Sequence, residues 1–538
     1  MHKLLLALAI ATLSARTVTI RVLVTTDLHG NLLGYDYFTA AKANRGLAKL
    51  ATLIEAERRE DPKALLIDCG DTIQGTPLEA SYQLAFAANK TKLADPMMLA
   101  MNALRYDAMT LGNHELNFGL RNLNAARETA KFPWLSANTR AEAGAKPFAP
   151  YVVKTIDGVR VAIIGITTPS IPLWEKPENY KGYKFIGGEA ASREYAKIVR
   201  EKEKADVVLI ASHAGLDRDI RTGKTFPNIT PGENMVWDIA ERVGGIDAIV
   251  FGHTHRTMVN QSINGVALMQ PLNWGGSLGR LDITVDDADG AWKVTSKKGM
   301  LIPVREDTAE DKKIVAIAMP YHDVAERELN QRVAESPVDL DGSNARDIDT
   351  ALIDSIQEVQ LHYAKADVSF AAAFNTNMRI RKGPMSVREL AALYVYDNEL
   401  YAIEGDGKMV KDALENAARY FAPCPVEGCN GKPRTNPAVI GFNYDMAQGV
   451  EYEIDPSKPE GQRVVNLKYK GQALAMDQKL RIAVNNYRYA GSAGYGMFTG
   501  AKLLWQSNAP IRDLMVEYYT RKKALPAKAD NNWRVILR

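Results

Sequence analysis

The sequence has few cysteines, few histidines and almost no excess of charge. Its 538 residues include 3 cysteines, too few for a fold held by disulfide bonds. The charges of the 67 basic and 64 acidic residues nearly cancel, so the net charge of +3 does not indicate binding to a nucleic acid polymer or an anionic membrane. Beyond the N-terminus, no apolar run is long enough to predict a membrane span. A hydrophobic content of 46% supports a sizeable core and excludes disordered and collagen-like chains.

The N-terminus has the pattern of an export signal. Residues 1–15 read MHKLLLALAIATLSA, in which a short basic start precedes an apolar stretch over 4–13 and two small residues. We predict export to the periplasm, with a strand or buried helix of the mature fold as the alternative. In an exported protein Cys424 and Cys429, which bracket a short loop, could form a disulfide, whereas Cys69 is predicted to be a small buried filler.

The order of apolar segments predicts two globular domains. Over residues 17–305, six apolar strands alternate with helical stretches such as 47–59 and 191–204, the pattern of a layered α/β domain. A charged helical segment over 306–338 predicts a linker helix, interrupted or kinked at Pro320. Residues 339–538 begin with helices, continue with short strands and predict a second domain.

Five of the eight histidines lie in loops that directly follow predicted strands, and carboxylate and amide side chains accompany them. The loops read DLHGN, GNHE, SHAG and GHTH, and Asp71 lies in a further one, GDTIQG. A single histidine in such a place is usually structural, but this combination predicts a metal centre. Imidazole and carboxylate ligands suit Zn, Mn, Fe, Co or Ni, and a shared carboxylate can bridge two ions ~3.5–4 Å apart that together activate water for phosphoryl displacement.

The order D-x-H, GD, GNHE, single histidine, GHTH resembles the calcineurin-type metallophosphoesterases. The resemblance continues through FNTNMRI, YDNELYAIEG, NNYR and ADNNWR, a set that is similar to the 5′-nucleotidase superfamily. Within it, the chain most resembles bacterial bifunctional 2′,3′-cyclic-nucleotide 2′-phosphodiesterase/3′-nucleotidases. The resemblance implies an N-terminal four-layer αββα domain and a smaller α/β C-terminal domain joined by a helix.

The resemblance also implies a set of site residues and two divalent ions, which we expect to be Zn, Mn or Co. The ligands of one ion would be Asp27, His29, Asp71 and His255, and those of the other Asp71, Asn113, His213 and His253. His114 would stabilise the transition state and help to protonate the leaving oxygen. Asn117 stands where 5′-nucleotidases typically have an aspartate that orients this histidine, and the change favours the cyclic-phosphodiesterase branch.

Substrate recognition is expected in the C-terminal domain. In the superfamily two aromatic rings of this domain enclose the base, and the matching segments predict Phe442 and Tyr495, with Tyr444 and Phe498 as alternatives. The same resemblance places Asn375 and Arg379 near the phosphate and Asn398 at a polar position facing the substrate.

These expectations define one function and several alternatives. A hydroxide between the ions would convert 2′,3′-cyclic nucleotides to 3′-nucleotides and these to nucleoside and phosphate. We expect a monomer that acts on a small nucleotide, without a nucleic acid polymer or a stable membrane association. The alternatives are a 5′-nucleotidase or UDP-sugar hydrolase on the same scaffold, a thiosulfohydrolase, and a non-catalytic exported binding protein with two lobes.

Overall fold

The computed structural model of the protein describes residues 16–142, 145–226, 230–288, 290–396, 398–424, 429 and 431–537. The predicted export signal over 1–15 lies outside these residues. All six strands predicted for the N-terminal part are present. They are Thr17–Thr25, Leu65–Asp68, Ala108–Thr110, Val159–Thr167, Val207–His213 and Ala248–Phe251.

Two six-stranded sheets face each other in the N-terminal domain. The strands of the first sheet are, in spatial order, Lys293–Pro303, Ser277–Asp286, Thr17–Thr25, Leu65–Asp68, Ala108–Thr110 and Trp134–Leu135. Those of the second are Met258–Ile263, Val266–Gln270, Ala248–Phe251, Val207–His213, Val159–Thr167 and Tyr151–Ile156. The central strands of each sheet are parallel and buried, as their continuous Val, Ile and Leu content predicts.

Three apolar layers hold this domain together. Val22 and Ile67 of the first sheet pack with Ile163 and Val250 of the second in a core between the sheets. Five helices cover the outer face of the first sheet. They are Leu47–Glu60, Pro77–Ala87, Pro96–Ala103, Gly119–Thr129 and Lys312–Leu329. Helices Gly188–Glu201 and Val236–Arg242 cover the second sheet. The four-layer αββα arrangement is therefore confirmed.

The helix predicted between the domains runs over Lys312–Leu329 without interruption at Pro320. Pro320 is exposed, so water can reach the carbonyl that loses its helical donor, and no break is needed. Ile314, Ala318 and Tyr321 pack this helix into the core under the first sheet, so it belongs to the helical layer of the N-terminal domain. The domain boundaries at 305/306 and 338/339 stay predictions.

The C-terminal domain is built on a five-stranded mixed sheet and a four-stranded sheet. The first contains Asp445–Gln448, Val368–Ala372, Lys479–Asn485, Glu399–Asp406 and Leu503–Pro510, and the second Gln472–Ala473, Val464–Tyr469, Glu451–Ile454 and Trp533–Val535. Its helices are Ala351–Ala364, Val387–Ala391, Gly407–Ala418, Asn486–Tyr489 and Ile511–Lys522. They share one apolar core with the strands, which confirms the predicted smaller α/β domain.

The three cysteines are arranged as the sequence allowed. Cys424 and Cys429 form a disulfide, and Cys69 is buried with a free thiol. In the described part of the chain, no helix is both long enough and apolar enough to span a membrane.

Candidate metal centre and active site

The candidate site lies where the central strands of both sheets end. The strands that end at Thr25, Asp68 and Thr110 are parallel neighbours in the first sheet, and those that end at His213 and Phe251 are parallel neighbours in the second. Because the carboxyl ends of parallel strands lie at one edge of a sheet, the loops that follow them converge. All seven predicted metal ligands lie in or next to these loops.

One group of three side chains is formed by Asp27, His29 and His255, whose ligand atoms lie within 4.8 Å of one another. The Nε2 atoms of His29 and His255 are 3.1 Å apart, and Nε2 of His255 is 3.4 Å from Oδ1 of Asp27. Two imidazole nitrogens that face each other beside a carboxylate form a donor set suited to a divalent cation.

A second group is formed by Asp71, His213 and His253, again with ligand atoms within 4.8 Å of one another. Nε2 of His213 lies 2.9 Å from Oδ2 of Asp71 and 3.1 Å from Oδ1 of Asn113. The same Asp71 oxygen is 3.8 Å from Nε2 of His29 in the first group. Asp71 therefore lies between the two groups, where a bridging ligand would have to be.

The surrounding hydrogen bonds direct the imidazoles into the site. Nδ1 of His213 lies 2.8 Å from the carbonyl oxygen of Cys69, and Nδ1 of His29 lies 3.1 Å from that of Gln74. A carbonyl oxygen only accepts, so each Nδ1 carries the hydrogen and each Nε2 faces the other ligands. Metal-bound histidines are usually held in this way, and these residues therefore fit a pair of divalent ions.

The backbone at the ligands is unusual. Asp27, His29, Asp71, His253 and His255 all have positive φ values, between 46° and 72°. Residues with a Cβ rarely adopt this left-handed region, and such strain concentrates at functional sites. The tight loops turn the side chains back toward one point.

Glycines beside the ligands leave no room for a side chain. A Cβ on Gly112 would lie 2.2 Å from Oδ1 of Asp71, and one on Gly252 would lie 2.5 Å from Oδ2 of Asp27. Glu115 holds the same two turns together, because its carboxylate accepts hydrogen bonds from the backbone N–H groups of Asp71 and Gly112. The ligand carboxylates are thus positioned by backbone packing.

The site strongly favours positive charge. Burial lowers the pKa of His213, but the adjacent Asp71 carboxylate outweighs burial and raises that pKa to about 10. Burial raises the pKa of Asp71, yet the surrounding histidines bring it well below its usual range. Burial dominates at His29 and lowers its pKa to about 4. Buried carboxylates that stabilise a positive charge between them are the electrostatic setting of a cation site.

His114 lies at the edge of this centre, with Nε2 4.0 Å from Oδ2 of Asp71. Its Nδ1 is 2.6 Å from Oδ1 of Asn117, so the two predicted catalytic residues are in contact. The hydroxyl of Tyr487, from the C-terminal domain, lies 3.2 Å from Nε2 of His114. The second domain therefore closes over the candidate site.

Among the predicted base-stacking residues, the structure places Phe442 and Tyr495 differently. Phe442 is 39% exposed and offers a ring to a ligand. Tyr495 is completely buried, with Phe498 stacked on it and the guanidinium of Arg488 over its ring at 4.7 Å. Its hydroxyl also accepts a hydrogen bond from the backbone of Asp445, so Tyr495 is part of the core here and has no free face. The alternatives Tyr444 and Phe498 are buried as well.

The predicted polar substrate residues make contacts within their own domain. Asn375 donates to the carbonyl of Ala392, Arg379 pairs with Asp341 at 3.0 Å, and the buried Asn398 donates to the hydroxyl of Tyr394. Arg379 is exposed and can exchange its partner for an anion, whereas Asn398 is 8% exposed and is held in place.

Several residues near the centre have no counterpart among the predicted ones. Glu233 lies 3.0 Å from Nε2 of His253, and Trp174 lies between His253 and Tyr487 with its ring nearly parallel to that of Tyr487. Glu175 accepts a hydrogen bond from Nδ2 of Asn117 at 2.6 Å. Glu233, Trp174 and Glu175 lie in loops whose sequences carry no metal-ligand spacing, so only the folded chain brings them to the site.

Comparison with known proteins identifies both domains. Residues 20–257 match the model of the calcineurin-like phosphoesterases, and residues 332–500 match that of the 5′-nucleotidase C-terminal domain. The chain is 31% identical to a 2′,3′-cyclic-nucleotide 2′-phosphodiesterase/3′-nucleotidase of Salmonella typhimurium, over 99% of this chain and 91% of the relative. It is 30% identical to the trifunctional nucleotide phosphoesterase protein YfkN of Bacillus subtilis, where 97% of this chain covers only 39% of the longer relative.

A solved structure agrees with these matches. The crystal structure of a 5′-nucleotidase-type protein from Staphylococcus aureus superposes with a TM-score of 0.83 at 25% identity, covering 96% of this chain and 100% of that one. The chain therefore belongs to the 5′-nucleotidase superfamily of calcineurin-like metallophosphoesterases, and it is a metal-dependent enzyme that hydrolyses phosphate esters of nucleotides.

Proposed function

We propose that the protein hydrolyses 2′,3′-cyclic nucleotides to 3′-nucleotides and then 3′-nucleotides to nucleoside and phosphate. The observation that carries the proposal is the match to the Salmonella enzyme named for these two activities, which extends over nearly the whole of both chains. The contact between His114 and Asn117 supports it, because the asparagine stands in place of the aspartate of typical 5′-nucleotidases.

Two divalent ions would activate water and neutralise the charge on the phosphoryl oxygens. One ion would be bound by Asp27, His29 and His255, the other by Asn113, His213 and His253, and Asp71 would be shared. His114 is placed to act on the other side of the reaction. Its Nδ1 is held by Asn117, and its Nε2 faces the centre, where it can give a proton to the departing ribose oxygen.

The nucleoside is proposed to bind between the centre and the C-terminal domain. Phe442 supplies an exposed ring, and Tyr396 is 40% exposed in the same domain. Arg488 donates a hydrogen bond to the main-chain carbonyl of Phe442 and so holds the segment that carries this ring. We propose these two rings as the platform for the base and Arg379 as a phosphate contact, while Asn375 and Asn398 shape the pocket wall.

Initial rates test the choice of substrate. Rates on 2′,3′-cyclic AMP, 3′-AMP and 5′-AMP are to be compared with Mn, Co or Zn added. We expect conversion of the cyclic nucleotide, with 3′-AMP appearing and then disappearing, and little hydrolysis of 5′-AMP. A clear preference for 5′-AMP would refute the proposal and favour a 5′-nucleotidase, the second candidate, which the similarity to the Staphylococcus aureus structure supports. Binding without turnover would favour the two-lobe binding protein.

Two further proposals concern the place and state of the enzyme. We propose that residues 1–15 direct export to the periplasm and that the enzyme works there as a monomer. Detection of the full-length chain in the cytoplasm alone would contradict the first proposal. Light scattering of the purified protein would test the second.

A further inference from the structure

A chain of three side chains leads away from the reacting face of His114. Nδ1 of His114 is 2.6 Å from Oδ1 of Asn117, and Nδ2 of Asn117 donates to Oε2 of Glu175 at 2.6 Å. Glu175 lies in the loop that follows the short helix Ile171–Leu173, 58 residues from Asn117. Both distances are short for N–H···O hydrogen bonds.

Glu175 is itself held in one orientation. Its other oxygen, Oε1, accepts hydrogen bonds from Nδ2 of Asn179 at 2.7 Å and from the backbone N–H of Lys176 at 2.8 Å. Lys176 also pairs with Glu399 of the C-terminal domain at 2.5 Å. The loop is therefore fixed on both sides, and Oε2 is left for Asn117.

The carboxylate decides which way the Asn117 amide points. A carboxylate oxygen only accepts, so the NH₂ group of Asn117 must face Glu175 and its oxygen must face His114. The ring nitrogen next to Asn117 must then carry the hydrogen, and Nε2 becomes the nitrogen that acts at the centre. With the amide reversed, its NH₂ group would face Nδ1 and could not accept a hydrogen bond from it.

We propose that Glu175 is a positioning residue for the general acid His114. It supplies the fixed acceptor that makes a neutral asparagine work where typical 5′-nucleotidases have an aspartate. This inference rests on the proposed role of His114 in nucleotide hydrolysis, and Glu175 acts only through Asn117.

The variant Glu175→Gln tests the inference because it should reverse the direction of the hydrogen bond between residue 175 and Asn117. Asn179 and Lys176 still require an acceptor, so the oxygen of the new amide takes the place of Oε1 and its NH₂ takes that of Oε2. That NH₂ needs an acceptor, which turns the oxygen of Asn117 away from His114. We expect kcat for 3′-AMP and 2′,3′-cyclic AMP to fall by about 10–100-fold with KM nearly unchanged, the usual effect of losing a residue that orients a ligand or catalytic group.

Two controls separate positioning from loss of structure. Bis-p-nitrophenyl phosphate has a leaving group that needs no proton, so its turnover by Glu175→Gln should stay within about threefold of the wild type. A general acid accelerates the departure of poor leaving groups by about 10²–10⁴-fold, and this substrate does not depend on that acceleration. Glu178→Gln makes the same change at an exposed residue of the next short helix, Pro177–Tyr180, and should leave the turnover of both substrates unaffected.

Rescue gives the sharpest readout. In Asn117→Asp/Glu175→Gln, the new amide donates to one aspartate oxygen and the other accepts from His114, so nucleotide turnover should return to within about threefold of the wild type. Asn117→Asp alone places two carboxylates side by side and should be slower than the double variant. Equal losses on both kinds of substrate, or no rescue, would overturn the inference. A wild type that hydrolyses only bis-p-nitrophenyl phosphate would instead refute the proposed function.

Discussion

Gly112 offers a direct test of how the metal centre is positioned. A Cβ at this residue would lie 2.2 Å from Oδ1 of Asp71, 2.5 Å from the Asp71 nitrogen and 2.6 Å from Oε2 of Glu115, whereas ordinary contacts begin at 3.4 Å. The variant Gly112→Ala must therefore move the Asp71 carboxylate, or the turn that carries it, by about 1.2 Å. Neither neighbour can yield easily, because the Asp71 turn and Glu115 are buried and hydrogen-bonded to each other.

The expected cost follows from this displacement. Overpacking of a buried site costs about 1–3 kcal/mol of stability, and a shift of roughly 1 Å at a reacting centre costs about 100-fold in rate. We expect Gly112→Ala to fold with a lower Tm, to lose about 100-fold in kcat/KM on 3′-AMP, and to bind metal more weakly, because Asp71 would contribute to both ions.

The assay pairs turnover with metal content measured on the same sample. Gly244→Ala is the matched control, since a Cβ there meets no atom within 4 Å. If Gly112→Ala kept the turnover and the metal content of the wild type, Asp71 would not be the shared ligand that the geometry indicates, and the argument from close packing would fail.

Four further predictions follow from the site and the C-terminal domain. His114→Ala should lower kcat on 3′-AMP by about 10²–10⁴-fold without changing metal content, and parallel loss of bound metal would contradict its role as an acid. Treatment with a chelator should abolish hydrolysis, and added Mn, Co or Zn should restore it; activity that persists in a sample shown to be metal-free would refute the metal centre. Phe442→Ala should weaken nucleotide binding by about 1–3 kcal/mol, seen as a raised KM for 3′-AMP but not for bis-p-nitrophenyl phosphate. Burial, with the carboxylates of Asp349 and Asp530, raises the pKa of Asp354 to about 8. The folded protein therefore holds this proton more tightly than the unfolded chain does, and it loses stability as pH rises from about 4 to 8. The difference between the Tm of Asp354→Asn and the Tm of the wild type should therefore shift in favour of the variant over this range.

The predicted ligands were identifiable from the sequence because strand and loop order place them. Each lies within a few residues of the end of an apolar strand, as His213 does directly and Asp27 does after Thr25. Local spacing therefore determined how far each ligand lies from the end of its strand, and the parallel arrangement placed these strand ends at the same edge of each sheet. The fold class followed from the same alternation of apolar strands and helices. The disulfide bond between Cys424 and Cys429 was likewise predictable as a possibility, because the two cysteines bracket a short loop.

Burial and orientation were decided only by the tertiary structure. Phe442 and Tyr495 both stand in aromatic, glycine-rich segments, yet one ring is open and the other lies between Phe498 and Arg488. Pro320 predicted an interruption or a kink, and the structure excludes the interruption, because the helix continues through this exposed position. Glu175 reaches Asn117 from a loop 58 residues away, and Tyr487, in the helix Asn486–Tyr489, reaches His114 from 373 residues away. Such contacts have no local pattern, because they depend on how two sheets and two domains pack and not on the periodicity of any one segment.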